Sequence, residues 1–245
     1  MLNNQTISKL IQMRLPAMAD ALAQQLQSAN YAELSFEDRL GMLVDREWSS
    51  RQDRKVTRLV KQAGLRFPTA CTEDIDWDPK RKLDRPLLLS LASGNWIDRH
   101  LNIIIEGKTG VGKSWISSAL GNSACRHGIS VFSIRLPKLL TQLTLARGDG
   151  SYSQVMSKLK KHPVLILDDW LINPLDANQC RELLEVLEER YDRSSTIFAS
   201  QLPVEDWYRQ IGEPTLADAI LDRCVHNAYH IHIDGDTKRK DRLQR

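Results

Sequence analysis

The chain has 245 residues, of which 42% are apolar and 27% charged, an ordinary soluble composition that argues against wholesale disorder. No apolar run approaches the ~20 residues of a membrane span, and MLNNQTISKLIQMRL lacks the charged segment and apolar core of a secretory leader. Cys71, Cys125, Cys180 and Cys224 lie far apart without zinc or redox spacing, so the expectation is a reduced, cytoplasmic protein. The net charge of +3 is unevenly spread: between Arg46 and Arg66 seven basic residues face two acids, and Lys238, Arg239, Lys240, Arg242 and Arg245 close the chain against Asp241. Such clusters suit a nucleic-acid footprint, although solvated helix faces look alike.

The first ~65 residues read as helical. Leu10, Met13, Leu15, Met18, Leu22 and Leu26 recur at helical spacing, with Pro16 as a break or kink. Ser35 followed by Asp38 marks a helix start. Leu40, Leu43, Val44 and Trp48 form one apolar stripe, and Val56, Leu59, Val60 and Ala63 a second, out of phase with it. The phase change predicts a bend or two helices near Gln52, and Gly64 ends the run. Arg51, Arg54, Lys55, Arg58 and Lys61 share the face opposite the second stripe, the expected DNA-contacting surface.

Residues 66–86 hold Pro68, Pro79 and Pro86 and read as a connection. The expected division is a helical N-terminal domain at 1–66, a linker at 67–86 and a second domain at 87–245. From Leu101 the pattern alternates strand and helix. Strands are expected at Leu101–Glu106, Ser130–Arg135, Val164–Leu167, Thr196–Ser200 and Tyr229–Ile233. Helices are expected at Lys113–His127, Pro137–Ala146, Ser153–Lys161, Ala177–Tyr191 and Leu216–Val225, with a Gly-rich loop at Arg147–Tyr152. This alternation predicts an α/β fold, a parallel sheet flanked by helices.

Gly107-Lys108-Thr109-Gly110-Val111-Gly112-Lys113-Ser114 fits G-x-x-x-x-G-K-[ST] between a predicted strand and a predicted helix, the context a P-loop requires. Glycines let backbone N–H groups turn toward phosphate oxygens, and the helix N-terminus adds its positive end. Lys113 is expected to reach the β- and γ-phosphates, and the Ser114 hydroxyl to ligate Mg2+. Val164-Leu165-Ile166-Leu167-Asp168-Asp169 is an apolar strand ending in two acids. Asp168 is assigned to the metal and Asp169 to the attacking water. Thr196-Ile197-Phe198-Ala199-Ser200-Gln201 delivers polar groups to the end of a strand, where Ser200 or Gln201 could sense the γ-phosphate. No NKxD guanine-reading segment is present, which favours ATP over GTP. His230 and His232 alternate on a predicted strand and read as surface or core residues rather than metal ligands.

The order GKTGVGKS, ARGDGSY, LILDDW, ASQLPVEDWY and PTLADAILDR resembles the IstB-like ATPases, transposition helper proteins of insertion sequences related to the DnaC helicase loaders of the AAA+ class. LPAMADAL and LSFEDRLGMLVDRE resemble that family's helical N-terminal domain, so the likeness spans nearly the whole chain. The resemblance implies an ATP- and Mg2+-dependent AAA+ ATPase preceded by a small all-α domain, and the short stretch after the last predicted strand leads to the expectation of no C-terminal helical lid. It further implies helical or ring-like homo-oligomers on duplex DNA, and a transposase as partner. By the same resemblance Ser200-Gln201 falls at sensor 1, Arg223 at an arginine finger offered to a neighbour's ATP, and Arg239 at a further nucleotide-contacting arginine. Arg147, in the expected Gly-rich loop, joins the DNA-contact candidates. Asp169 stands where many AAA+ ATPases carry Glu, which predicts slow hydrolysis. A DnaC-like helicase loader is the nearest alternative. A small-molecule kinase would need an Arg-rich lid, and a non-hydrolysing ATP switch would use the acid pair for metal alone.

Overall fold

A computed structural model describes residues 2–31 and 33–238. The chain forms two compact units, one up to Arg58 and one from Leu59 onward. The first is built from α1 (Leu2–Gln12), α2 (Pro16–Gln27) and most of α3 (Phe36–Ala63). Pro16 opens α2, where its missing N–H costs nothing, and Arg14 turns the chain with φ 61°. The α2 N-terminus is capped from a distance. Glu47 Oε2 accepts from the backbone N–H groups of Ala17 (2.9 Å) and Met18 (3.1 Å). Its Oε1 accepts from Arg51 Nε (2.9 Å) and Arg54 Nη2 (3.2 Å). Burial pushes the Glu47 carboxyl pKa up, but these donors hold it below its ordinary value.

Helix α3 is one continuous 28-residue helix with no break at Gln52. The out-of-phase stripes impose no bend because the first is scarcely packed within this chain: Leu43 is buried, while Leu40, Val44 and Trp48 are exposed. No Gly or Pro interrupts residues 42–63, and Gly64, at φ 66°, ends the helix. At the start Ser35 Oγ accepts from the Asp38 N–H at 3.1 Å, the expected cap.

The second unit is built on a five-stranded sheet with order β2-β3-β4-β1-β5. The strands are β1 (Asn102–Gly107), β2 (Val131–Arg135), β3 (Val164–Trp170), β4 (Ser195–Ser200) and β5 (Ala228–Ile233), every pairing parallel. Around it lie α4 (Arg85–Ala92), α5 (Asn95–Asp98), α6 (Lys113–Arg126), α7 (Leu136–Asp149), α8 (Tyr152–Lys161), α9 (Ala177–Arg190), α10 (Trp207–Ile211) and α11 (Pro214–Val225). Strand alternation divides the core in two. Ile104 joins the α7–α11 layer, and Ile103 and Ile105 join the layer of α4, α5 and α6. Gly121 lets α6 lie against the sheet, since a Cβ there would meet Ile166 Cδ1 at 2.8 Å and Leu65 Cδ2 at 2.9 Å.

Residues 67–86, expected as a linker, fall within this second unit. Ala70, Thr72, Ile75 and Arg81 are buried there. The expected loop at Arg147–Tyr152 is also built differently. Helix α7 continues through Asp149, and Gly150 (φ 78°) and Ser151 suffice to turn the chain into α8. No helix among the described residues is long and apolar enough to cross a membrane.

Candidate nucleotide site

The buried strand β1 ends at Gly107, and the loop from Lys108 to Gly112 leads into the N-terminus of α6. Gly107, Gly110 and Gly112 have φ of 148°, 91° and 109°, values that favour glycine. A glycine turn of this kind leading into a helix N-terminus is suited to phosphate. Lys113, the first residue of α6, arches back so that Nζ donates to the carbonyls of Gly107 (2.6 Å) and Lys108 (2.8 Å). Its charge is thereby held over the loop.

Two segments brace the loop, one immediately before the expected nucleotide-contacting Arg239 and one, around Asp76 and Arg81, that the sequence did not single out. A Cβ on Gly110 would meet Thr237 Oγ1 at 2.1 Å, and the Lys238 N–H donates to Gly110 O at 3.0 Å. The Lys238 ammonium pairs with the Asp76 carboxylate. From the same side Arg81 Nη2 donates to Val111 O at 2.9 Å, and Nη1 to Asp76 O at 2.7 Å. Burial lowers the Arg81 pKa, and Asp76 and Asp78 oppose that. Nothing local in the sequence marks Arg81 or Asp76 as bracing the loop, because the partners that tie them to it, Val111 and Lys238, lie far along the chain. Arg239 lies outside the described residues.

β3 reaches the site beside α6. Ser114 Oγ donates to Asp168 Oδ1 at 2.8 Å, so the two expected metal-binding side chains already touch. A hydroxyl and a carboxylate are hard oxygen donors, the set that suits Mg2+. Their placement therefore fits the ion. Beyond Asp168 the β3–β4 register shifts between Leu167 and Trp170. Asp169 sits in that irregularity with φ 54°, a left-handed conformation that Asp tolerates better than most residues. Its N–H donates to Asp168 Oδ1 at 3.0 Å. The bulge separates the two acids in direction, which a regular strand would also do, but frees Asp169 from the ladder. Arg66, counted in the sequence only as one of a basic cluster, donates from Nη1 to Asp168 Oδ2 at 3.1 Å.

Of the two sensor candidates only Gln201 is at the loop: Thr109 Oγ1 donates to Gln201 Oε1 at 2.5 Å. Ser200 is fully buried, and its Oγ bonds Trp170 O (3.3 Å) and the Leu202 N–H (3.1 Å). It shapes the turn after β4 and does not line the phosphate loop, because alternate residues of a strand face opposite ways.

Arg223 is not at this site. Its backbone O accepts from Asn102 Nδ2 at 3.0 Å, at the start of β1, whereas the P-loop begins at that strand's end. The separation along the strand is roughly 16 Å at ~3.3 Å per residue. Its guanidinium donates to Glu188 Oε1 (2.9 Å) and Ala219 O (2.8 Å). Arg147, expected on a Gly-rich loop, is in the last turn of α7 and is neutralised locally. Nε donates to Glu182 (2.6 Å) and Nη2 to Glu185 (2.7 Å), over the Tyr152 ring. The Glu182 hydrogen bond raises its pKa further. On α3, Arg51 and Arg54 share Glu47, while Lys55, Arg58 and Lys61 are exposed and make no ion pair among the described residues.

Comparison with known proteins gives these parts a family. The model of the IstB-like ATP binding protein family matches residues 8–245. An insertion-sequence ATP-binding protein, y4pL of Sinorhizobium fredii, is 46% identical over 100% of both chains. The corresponding protein of insertion sequence IS1162 from Pseudomonas fluorescens is 47% identical over 83% of this chain and 88% of its own. Among solved structures, DnaI superposes with a TM-score of 0.59 at 22% identity, covering 67% of this chain and 91% of that one. The DnaC helicase loader gives 0.57 at 16%, covering 69% and 99%. Those structures share the AAA+ fold, a parallel sheet carrying a P-loop. The chain belongs to the IstB-like ATP-binding proteins and is an ATPase with the AAA+ P-loop fold.

Proposed function

We propose that the chain is a cytoplasmic, DNA-binding ATPase that assembles on duplex DNA in its ATP form and there recruits or regulates a transposase. The observation that carries this reading is a complete P-loop and acid pair in a chain whose relatives are named for insertion sequences. In this account the loop amides and Lys113 bind the β- and γ-phosphates, and Ser114 with Asp168 holds Mg2+. The ion, when bound, neutralises charge on the phosphate oxygens. Asp169 accepts a proton from the attacking water, and Gln201, hydrogen-bonded to the loop, orients at the γ-phosphate. Arg223 is too distant to act on its own subunit's nucleotide, which supports a role across a subunit boundary. Homo-oligomers, helical or ring-like, then follow from the chemistry, because each site needs a neighbour.

DNA contact is assigned to the open face of α3. Lys55, Arg58 and Lys61 make no ion pair among the described residues, and Arg51 and Arg54 add part of their charge. A face of this kind follows phosphates, so binding should vary little with sequence and steeply with salt. Changing Lys55 and Arg58 together to alanine should lower the log–log salt slope by nearly two for each subunit engaged, at about 0.9 per phosphate contact. Fluorescence anisotropy on two unrelated duplexes measures this. An unchanged slope in folded protein would remove DNA binding from α3.

The DnaC-like fold keeps a helicase-loading role as the second reading. Co-purification on DNA with ATP decides: retention of the transposase from the same insertion sequence supports the first, and retention of a replicative helicase alone the second.

A further inference from the structure

The side chains assigned to Mg2+ already share a cation of the chain's own. Arg66 Nη1 lies 3.1 Å from Asp168 Oδ2 and 3.5 Å from Ser114 Oγ, while Ser114 Oγ donates to Asp168 Oδ1 at 2.8 Å. Hydroxyl, carboxylate and guanidinium therefore close a triangle on the oxygens a divalent ion would use. The placement is built in. Leu65 and Ala70 are buried on either side. The Phe67 N–H donates to Ser118 Oγ at 3.4 Å, and Pro68 O accepts from Asn122 Nδ2 at 2.7 Å. Both partners belong to α6, the helix that carries Ser114. The backbone beneath Arg66 is thus tied to the same element as the metal-binding hydroxyl. The side chain itself is 47% exposed, whereas that of Asp168 is 8% exposed, so the arginine can swing outward and the acid cannot.

We propose that Arg66 is a built-in competitor of Mg2+ for Asp168 and Ser114. This rests on the reading of those two residues as the metal pair. A guanidinium and a divalent cation repel each other at contact distance, so either one held at Asp168 and Ser114 weakens the binding of the other. Arg66 holds a single positive charge on Asp168 and yields that place when Mg2+ arrives with nucleotide. It thereby keeps a buried acid paired and sets how much Mg2+ is needed for tight nucleotide binding. A carboxylate left buried without a partner would be costly, which gives the arginine a reason to be there.

The test is a Mg2+ titration of full-length protein with a fluorescent ADP analogue, with an EDTA baseline. Arg66→Ala should reach half-maximal Mg2+-dependent binding at about three- to tenfold lower Mg2+, the range expected for losing a charged hydrogen bond that is partly screened by water. Its affinity for nucleotide in EDTA should match wild type. Arg66→Lys, which keeps the charge, should stay near the wild-type Mg2+ requirement. An unchanged or higher requirement in Arg66→Ala, with normal circular dichroism, would overturn the proposal. So would an equal loss of affinity with and without Mg2+, which would make Arg66 a direct phosphate ligand. Asp168→Asn separates the two levels. If it abolishes the Mg2+ dependence while Arg66→Ala leaves it unchanged, only the competition fails. If it leaves the dependence intact, the metal-pair reading fails and the proposal with it.

Discussion

Arg223→Ala should reduce ATP turnover by about a thousandfold while leaving ATP binding by the monomer unchanged. The size follows from what an arginine finger supplies to a transition state whose charge spreads over the γ-phosphate oxygens, a loss of roughly 4 kcal/mol. The location gives the experiment its logic. Arg223 is bonded near the first residue of β1, and the P-loop leaves that strand's last. The arginine therefore serves another subunit or none. Mixing Arg223→Ala with Lys113→Ala should restore part of the activity, because an intact nucleotide site from one protein meets an intact arginine from the other. Steady-state phosphate release measures both results. Confirmed mixed oligomers with no recovery would leave Arg223 only its present bonds to Glu188 and Ala219.

Asp169→Asn should bind ATP and Mg2+ normally and hydrolyse at least about a hundredfold more slowly. An amide cannot accept the water's proton, and general-base catalysis of this kind contributes about 10²–10⁴-fold. Two features make the substitution clean. Asp168 and Ser114 keep their contact, so the metal pair survives. Asparagine also tolerates the left-handed backbone that Asp169 adopts, with φ 54°, as readily as aspartate does. A larger or β-branched residue would strain the bulge and confuse chemistry with folding. Single-turnover hydrolysis decides, and a wild-type rate would remove Asp169 from the catalytic role. Slowed hydrolysis should also prolong the life of the DNA-bound assembly.

The parts of the site that chemistry requires at fixed spacing were legible in the sequence. Gly107 to Ser114 needed only a preceding strand and a following helix, and β1 and α6 supply them. Asp168 and Asp169 stood out because an all-apolar run gave way abruptly to charge, although β3 itself continues through both acids to Trp170. The sheet was legible for the same reason. What failed depended on contacts between distant residues. The two stripes of α3 suggested a bend on the assumption that both were buried, and Leu40, Val44 and Trp48 are exposed. Arg147-Gly148-Asp149-Gly150 looked like a loop by composition, yet α7 runs through the first glycine and stops at the second. Ser200 and Gln201 could not be separated without knowing where β4 ends. Arg66, Arg81 and Asp76 carried no local mark, because an arginine's role is set by the carboxylate or carbonyl it meets, and those partners lie 102, 30 and 162 residues away in Asp168, Val111 and Lys238.

ATP is expected to drive assembly of this chain on duplex DNA. Sedimentation velocity of the full-length protein with a duplex, compared in ATP, in ADP and without nucleotide, tests it most directly. A large protein–DNA species is expected in ATP, shrinking toward free DNA and small protein species in ADP, and Lys113→Ala should not form it. Equal sedimentation in all three conditions, or binding of DNA only as a monomer in ATP, would contradict it.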